Sequence, residues 1–390
     1  MAKKKILFIC DGVVPTGFST VSHNIIGNLP KRSYDPHHLA INYYGDPHDK
    51  DWKVYPAVLG GDIWGMGRVK DLIKQDFDGI FILNDPWVID TYLEIIKKEL
   101  GEKVMPIVVY FPVDAKYLDP DWFKHYDIVT KVCVYTKFGY TEVKRSVPDL
   151  EPVIIPHGVD KKSFYKLDLE KRDIKSRIYP NSEDFLDSFV VLNANRNQPR
   201  KRIDMTLLGF KYFAEDKPEN VKLYCHMGVK DMGWDIFKLA IRLGLEKRLI
   251  VSNNSRNTQT VTLDRLNLIY NATEVGLNTS LGEGWSLTNM EHAVTGAVQV
   301  VPEHSALVEL YKDCGIFIPI DRWEINSDVL TIGGLVDATA VADKLEMLYQ
   351  NKELLEELSL KSLKKFASEE YSWDYIVKKY WLDVLKEAYG

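Results

Sequence analysis

The sequence predicts an α/β protein that consists of two doubly wound domains, and three observations support this prediction. Short apolar runs alternate with amphipathic helical patterns along the whole chain, which is typical of parallel sheets with right-handed crossovers. The chain has 390 residues, more than a single core comfortably accommodates. The alternation also restarts after a charged stretch at 160–188. The candidate strands are too many for one sheet, so we predict two.

The strand candidates define the domains. Those of the first half are 5–10, 38–43, 79–83, 105–111, 128–135 and 152–156, and those of the second half are 189–194, 221–226, 249–252, 274–279, 297–301 and 315–319. Helical patterns such as 20–29 and 87–100 fit between them. We place an N-terminal domain at 1–157 and a C-terminal domain at 158–370. Ligands of such sheets bind at the carboxyl ends of the strands, so we expect the active site in a cleft between the two domains.

Composition and charge limit the class of protein. The net charge of −6 gives no support for a surface that binds polyanions broadly. The four cysteines are far apart in sequence, which argues against a zinc cluster or a disulfide framework. The apolar run at 6–10 is too short for a signal peptide, and no run approaches the roughly 18 apolar residues of a membrane span. We therefore expect a cytoplasmic protein without a transmembrane segment.

The most informative segment is 281–291, which follows a strand candidate and opens a helix. Gly282 and Gly284 allow the backbone to approach a ligand closely. Backbone amides at the start of a helix are free to bind an anion, and a phosphate suits such a site. The residues expected to bind the ligand in this way are Gly284, Trp285, Ser286 and Leu287.

Two carboxylates, Glu283 and Glu291, lie eight residues apart in this segment. Over that distance an α-helix rises about 12 Å, which is comparable to the span from the sugar to the ribose of a nucleotide sugar. Glu283 would then accept hydrogen bonds from the sugar and Glu291 from the ribose. The alternative is a pair of solvated acids on an ordinary helix, but the glycines and the preceding strand favour a binding site.

A basic segment, 193–204, lies where the first strand of the second domain turns into its helix. Its cations Arg196 and Lys201 suit a diphosphate at the carboxyl end of a strand. They would stabilise a departing nucleoside diphosphate without a metal ion. The alternative is a basic loop on a solvated face.

Two weaker candidates belong to the first domain. Gly17, in the turn after the first strand, permits close approach to a phosphate or sugar, although the G-x-G-x-x-G pattern of dinucleotide-binding proteins is absent. Asp114 ends a strand that faces the expected cleft. It is an active-site candidate, and the alternative role is a helix cap.

No metal site is expected. The sequence Asp76-x-Asp78 precedes a strand, which is the wrong end for a site, and Asp119-Pro120-Asp121 has the composition of a turn. The nine histidines show no ligand spacing such as H-E-x-x-H.

Together these motifs resemble the GT-B fold and, within it, the large retaining glycosyltransferase family 4. The segment 283–291 resembles the E-x7-E motif of that family, and Arg196 and Lys201 resemble its diphosphate-binding pair. The segment 155–160 is similar to its interdomain signature, and 371–373 is similar to the start of its last helix. The resemblance implies two Rossmann-like domains that face each other across a cleft. It also implies a C-terminal helix, 371–390, that packs back on the N-terminal domain.

The resemblance further implies a retaining, metal-independent transferase of hexosyl or pentosyl groups. A nucleotide sugar, with a UDP-sugar favoured, would serve as co-substrate, and no cofactor would be needed. The acceptor would be a hydroxyl group of a carbohydrate or a cell-envelope glycan. The catalytic residues would be Glu283, Arg196, Lys201 and Asp114, with Gly17 near the diphosphate and sugar and Glu291 at the ribose. Many members have a His-Asp pair where this chain has Val113-Asp114, which fits a mechanism assisted by the leaving phosphate.

Two alternatives remain open from the sequence. Segments 15–19 and 200–204 also resemble transferases of bacteriophages and some bacteria, which suggests hydroxymethylated bases in phage DNA as acceptors. Such an enzyme needs a basic strip to hold phosphates, and the lysines near the start of the chain provide little of it. The second alternative is a non-catalytic protein that binds nucleotide sugars, and the presence of both glutamates and both cations argues against it.

Overall fold

The computed structural model describes residues 3–252 and 261–390. The chain divides into two compact units. The first consists of Met1–Val113, Tyr117–Gly158 and Trp373–Gly390, and the second of Asp114–Lys116 and Val159–Ser372.

The first unit is built on a parallel sheet. Its strands are β1 (Lys4–Asp11), β2 (Tyr34–Ile41), β3 (Lys53–Pro56), β4 (Gly79–Leu83), β5 (Ile107–Phe111), β6 (Lys131–Val134) and β7 (Val153–Ile154). They are arranged in the order β3-β2-β1-β4-β5-β6-β7. All residues of β4 and β5 are buried, as expected for strands of a parallel sheet that is covered on both faces. The covering helices are α1 (Gly17–Gly27), α2 (Met66–Leu72), α3 (Pro86–Leu100) and α4 (Lys137–Ser146), with short 3-10 turns at Gly101–Lys103, Pro120–Phe123 and Tyr126–Ile128.

The second unit repeats the architecture. Its parallel strands are β8 (Phe189–Asn193), β9 (Val221–Cys225), β10 (Leu249–Val251), β11 (Val275–Leu277), β12 (Val298–Pro302) and β13 (Gly315–Ile318), in the order β10-β9-β8-β11-β12-β13. A separate antiparallel hairpin consists of β14 (Ile320–Ile325) and β15 (Ile332–Val336).

The helices of the second unit pack on this sheet. They are α5 (Lys171–Ile178), α6 (Glu183–Leu186), α7 (Ile203–Ala214), α8 (Ile236–Arg242), α9 (Leu263–Ala272), α10 (Leu287–Ala293), α11 (Ala306–Tyr311), α12 (Ala338–Gln350) and α13 (Lys352–Phe366), with 3-10 turns at Pro199–Lys201 and Glu369–Tyr371. Buried apolar residues of α7, α8, α12 and α13 form a hydrophobic core with the inner strands of this unit.

The chain ends in a helical segment that belongs to the first unit. It comprises α14 (Trp373–Ile376), a π-helical turn (Val377–Trp381) and α15 (Leu382–Tyr389). The ring of Trp381 packs edge-on against Tyr110, with centroids 4.8 Å apart. The Tyr389 hydroxyl donates to the carbonyl of Ile80 at 2.6 Å. A Cβ atom on Gly79 would lie 2.3 Å from the Tyr389 ring, which explains the glycine. The predicted return of the last helix to the first domain is confirmed.

The predicted fold class, two parallel α/β sheets, is also confirmed. Each strand predicted from an apolar run overlaps an observed strand, and α1 begins three residues before the predicted start. The strand β3 and the β14–β15 hairpin were not predicted. The residues of β3 and β14 are exposed or half-buried, so these strands lack the continuous apolar runs that mark the inner strands. The strand β15 is mostly buried, but its short sequence contains Gly333 and Gly334.

The sequence led to expectations about cysteines, membrane-spanning helices and metal sites, and the described residues bear on each of them. All four cysteines are buried and form no disulfide. Within 3–252 and 261–390, none of the helices is both long enough and apolar enough to cross a membrane. The same residues contain no group of three or more metal-binding side chains.

Candidate active site

Two loops of the second unit meet at one edge of its sheet. The first follows β8 and carries Lys201, and the second follows β11 and carries Glu283. Because β8 and β11 are parallel neighbours, both loops leave the sheet at its carboxyl edge, where ligands of such sheets bind. The amide of Leu281 donates to the carbonyl of Arg200 at 2.8 Å and thereby joins the loops.

Lys201 and Glu283 form a buried ion pair, with Nζ 2.5 Å from Oε1. Burial and the nearby charge of Arg200 lower the pKa of the Lys201 ammonium to about 8. Burial also opposes ionisation of Glu283, but the charges of Lys201 and Arg200 outweigh this effect and lower the pKa of the carboxyl group. Both partners are therefore charged at neutral pH. The structure thus brings together two residues that the sequence analysis selected from motifs 82 positions apart.

Three neutral side chains hold Glu283 in place. Its Oε1 atom also accepts hydrogen bonds from Asn278 Nδ2 at 2.9 Å and Ser280 Oγ at 2.7 Å. The backbone amide of Glu283 donates to Ser305 Oγ at 2.9 Å. None of these three residues was predicted from the sequence. A polar run at 278–280, directly after a buried strand, was the available signal for the first two.

The backbone is strained around this pair. Arg202, Ser286 and Ser305 adopt left-handed conformations, with φ values of 48°, 72° and 55°. Such conformations are uncommon for residues other than glycine and persist only where the surrounding structure enforces them. Arg202 directly follows Lys201. The Ser305 hydroxyl accepts a hydrogen bond from the Glu283 amide and does not cap α11. Three of the seven non-glycine residues with positive φ in the described part of the chain therefore lie around this pair.

Asp114 lies beside the pair, and it belongs to the second unit although it follows β5. Its carboxylate lies 3.1 Å from Nη1 of Arg200, which also donates to the Gly282 carbonyl at 3.2 Å. A Cβ atom on Gly282 would lie 1.7 Å from the Asp114 carbonyl oxygen. A glycine is therefore required at position 282 because the protein backbone passes close to it. The expected close approach of a ligand is not needed to explain this glycine. Asp114 caps no helix here.

The start of α10 differs from the expected geometry. Only Glu291 lies within the helix, because Glu283 precedes its first residue by four positions. The two carboxylates are therefore not separated by a helical rise of eight residues, and that part of the geometric argument was wrong. Trp285 is buried and its Nε1 donates to the Met290 sulfur at 3.3 Å. Gly284 and Ser286 are also buried and Leu287 is half-buried, and their role in ligand binding stays a prediction.

Glu291 is half-buried on α10. Burial raises the pKa of its carboxyl group to about 8, and the charge of Asp160 adds to this effect. The Tyr270 hydroxyl is 3.4 Å from Oε2 and opposes the shift. The carboxyl group is therefore mostly protonated at neutral pH.

This shift predicts a pH-dependent stability. Between the ordinary value of 4.5 and the folded value of about 8, folded Glu291 holds a proton that the unfolded chain has lost. The contribution of the Glu291 carboxyl group to the free energy of unfolding is therefore fully present at low pH. It is lost as the pH rises through this window. We expect the unfolding temperature of the wild type to fall relative to that of Glu291→Gln between pH 5 and pH 8.5. Thermal unfolding of both proteins across this pH range tests the prediction. Unfolding temperatures that change with pH in parallel would contradict the raised pKa of Glu291.

Arg196 and Gly17 were the other two residues predicted to contact the diphosphate. Arg196 is exposed and its Nε and Nη2 atoms contact the Asp231 carboxylate at 2.6 and 3.3 Å, so its predicted binding role would require a change of partner. Gly17 is the first residue of α1 in the first unit, and the Thr16 side chain caps that helix. The predicted position of Gly17 at a strand-to-helix turn is confirmed, and its contact with a ligand stays a prediction.

The acidic pairs that were considered as metal ligands have structural contacts. The Asp78 carboxylate accepts the backbone amide of Lys5 at 2.8 Å. Asp119 caps the 3-10 turn at Pro120–Phe123 by accepting the Asp121 amide, as expected for a turn.

No family model and no curated protein sequence matches this chain. Solved structures do match over nearly the whole length. A sucrose-phosphate synthase from Thermosynechococcus elongatus superposes with a TM-score of 0.74 at 12% identity, covering 99% of both chains. HepE of Anabaena, solved with UDP and glucose, gives 0.73 at 13% identity and covers 98% of this chain and 100% of its own. A glycosyltransferase from Rickettsia africae gives 0.68 at 13% identity, covering 99% of both chains.

These similarities define the class of fold. The superpositions extend over 98–99% of this chain and include both of its parallel α/β units. The chain has the GT-B fold of glycosyltransferases. At identities of 12–13%, the comparison establishes the fold and leaves activity to be argued from the site.

Proposed function

We propose that this protein is a retaining glycosyltransferase that moves a sugar from a nucleoside-diphosphate sugar to a hydroxyl group of a carbohydrate or cell-envelope glycan. The observation that carries the proposal is the buried Lys201–Glu283 pair at the carboxyl edge of the second sheet. Buried ion pairs are costly and are weak evidence for stability alone. At this edge the cation can contact the diphosphate of such a donor, and the carboxylate can accept hydrogen bonds from its sugar.

Lys201 is proposed to hold the diphosphate, and Glu283 the hydroxyls of the transferred sugar. An ammonium group next to the diphosphate stabilises the charge that develops as the nucleoside diphosphate departs. Glu291 is proposed to accept the ribose hydroxyls, and Arg196 and Gly17 to contact the diphosphate. The backbone at 284–287 and Asp114 complete the proposed site. UDP is the favoured nucleotide, since HepE was solved with UDP and glucose.

The proposed reaction needs no covalent intermediate. The acceptor oxygen forms a bond to the anomeric carbon while the bond from that carbon to the β-phosphate oxygen breaks. The hydroxyl proton passes to the departing phosphate oxygen on the same face, so the configuration is retained. Lys201 stabilises the phosphate charge throughout, and its pKa of about 8 keeps it charged at neutral pH. Because cations stabilise the leaving group, the proposal requires no metal ion.

A binding screen followed by an assay tests the proposal. We expect UDP and UDP-sugars to raise the unfolding temperature more than GDP or ADP, since a ligand at 100 times its dissociation constant adds about 2.7 kcal/mol. UDP release should then depend on added glycan acceptor and proceed unchanged in EDTA. Stabilisation without release would indicate a non-catalytic binding protein. Activity that EDTA abolishes and Mn²⁺ restores would contradict the metal-free mechanism.

A further inference from the structure

We infer that Trp323 is an acceptor-binding residue, whose indole ring packs against the C–H face of the acceptor sugar. This inference rests on the proposed function. It concerns the β14–β15 hairpin, to which the proposed donor site assigns no role. Trp323 lies on β14 and is 46% exposed. Tryptophan combines a large apolar surface with a polar edge, and such side chains often line ligand sites.

The hairpin is fixed to both loops of the candidate active site. On β15, the amide of Gly334 donates to the carbonyl of Leu281, in the loop that carries Glu283, at 2.8 Å. On β14, the Glu324 carboxylate accepts from Nη1 of Arg202, in the other loop, at 3.0 Å. Contacts on both strands therefore set the position of the hairpin relative to the proposed donor-sugar site.

The Trp323 ring is separated from the Glu283 loop by a single side chain. The rings of Trp323 and His304 are nearly perpendicular, with centroids 4.9 Å apart. The Cδ2 atom of His304 would lie 3.5 Å from a Cβ atom on Gly282. The next residue, Ser305, accepts a hydrogen bond from the amide of Glu283. A ligand that contacts the indole ring would therefore lie close to a sugar held by Glu283.

The Trp323 ring is also held by Lys116. The ammonium group lies 3.4 Å from the ring centroid, within the range of a cation–π contact. Backbone hydrogen bonds of 2.9 and 3.0 Å between Lys116 and Ile332 fix this lysine to β15. Burial and the charge of Lys116 lower the pKa of the His304 imidazole to about 4, so His304 is neutral at pH 7. Because two side chains orient the half-exposed ring, little side-chain entropy would be lost when a ligand packs on it.

The chemistry of this position fits an acceptor sugar. A pyranose has an apolar face of C–H groups and a rim of hydroxyls. The indole ring can cover that face, and the Lys116 ammonium, which has three N–H donors, can donate to a hydroxyl. The donor sugar is proposed to contact Glu283 itself, and His304 lies between the Glu283 loop and Trp323. The ring is thus placed where the acceptor hydroxyl must approach the anomeric carbon.

Transfer kinetics of Trp323 variants test the inference, with UDP-glucose as donor and the methyl glycosides of glucose, galactose and mannose as acceptors. We expect Trp323→Ala to raise the acceptor KM about tenfold, the scale of one aromatic contact, with a smaller change in kcat. The affinity for UDP should stay within twofold. Trp323→Phe keeps an aromatic face and should recover most of the loss. Ile325→Ala is the matched control on the same strand, where Ile325 is 67% exposed, and should leave the acceptor KM unchanged.

An unchanged acceptor KM in Trp323→Ala, or an equal increase in Ile325→Ala, would overturn the inference. An increase confined to the KM of UDP-glucose would overturn it by assigning Trp323 to the donor. A loss of UDP affinity in both Trp323 variants, with lower unfolding temperatures, would show that the ring acts only in folding. If UDP binds but no glycoside accepts glucose, this inference fails and the donor site remains. If the wild type binds neither UDP nor UDP-glucose, the proposed function fails as well.

Discussion

Replacing Lys201 with alanine is expected to lower turnover by about 10²–10³-fold, the loss seen when one preorganised donor to a developing negative charge is removed. The ammonium group is buried, and the carboxylate of Glu283 holds it at 2.5 Å. It therefore needs little reorganisation when the diphosphate departs. Steady-state turnover with a saturating donor measures the effect. Activity within twofold of the wild type would remove Lys201 from the proposed mechanism.

Loss of folding must be separated from loss of catalysis in this variant. Removing one partner of a buried pair leaves the other charge unpaired, which costs about 3–5 kcal/mol. The double variant Lys201→Met/Glu283→Gln removes both charges at similar volume and is the matched control. We expect its unfolding temperature to lie closer to that of the wild type than the temperature of Lys201→Ala does, while turnover stays low. A double variant that regains turnover would show that the pair acts only in folding.

The sequence was sufficient to predict the fold because the inner strands of parallel sheets are continuously apolar. Strands such as β4 and β5 are buried along their whole length, and each left an uninterrupted apolar run. The β14–β15 hairpin carries Asp321, Arg322 and Glu324 on an exposed strand. Its formation depends on contacts with distant residues, such as the hydrogen bond from the Gly334 amide to the Leu281 carbonyl. Local patterns do not encode such contacts.

Only part of the candidate site could be predicted from the sequence. Motifs selected Lys201 and Glu283, and the order of strands in the sheet brought them together. The partners of the charges were not predictable, because an arginine is equally compatible with a ligand and with a protein carboxylate. Arg196 and Arg200 are similar in sequence context, but one contacts a buried aspartate and the other a half-exposed one. Only the position of Asp231 and Asp114 in the fold distinguishes them.

Replacing Glu283 with glutamine and replacing Glu291 with glutamine are expected to have different effects on binding and turnover. If Glu291 binds the ribose, its contact is about equally strong in the ground state and the transition state. Glu291→Gln should then weaken the binding of the donor and of free UDP, with a smaller effect on turnover. Since burial raises the pKa of Glu291 to about 8, the wild-type group is ionised mainly above that pH. Hydrogen bonds to a charged acceptor are stronger, so the difference in UDP affinity between the two proteins should grow from pH 6 to pH 9.

If Glu283 contacts the transferred sugar, Glu283→Gln should leave the affinity for UDP nearly unchanged, because UDP lacks that sugar. The loss should appear in turnover, since the sugar must be held while charge develops at the anomeric carbon. Glutamine keeps an oxygen that accepts from Asn278 and Ser280, but it leaves the Lys201 ammonium without its carboxylate, which costs about 3–5 kcal/mol. A melting curve measures this loss of stability separately from the loss of turnover. Titration with UDP and the turnover of each variant separate the two roles. Weaker UDP binding in Glu283→Gln together with normal binding in Glu291→Gln would reverse the assignment. Normal binding and turnover in both variants would contradict a donor site at this loop.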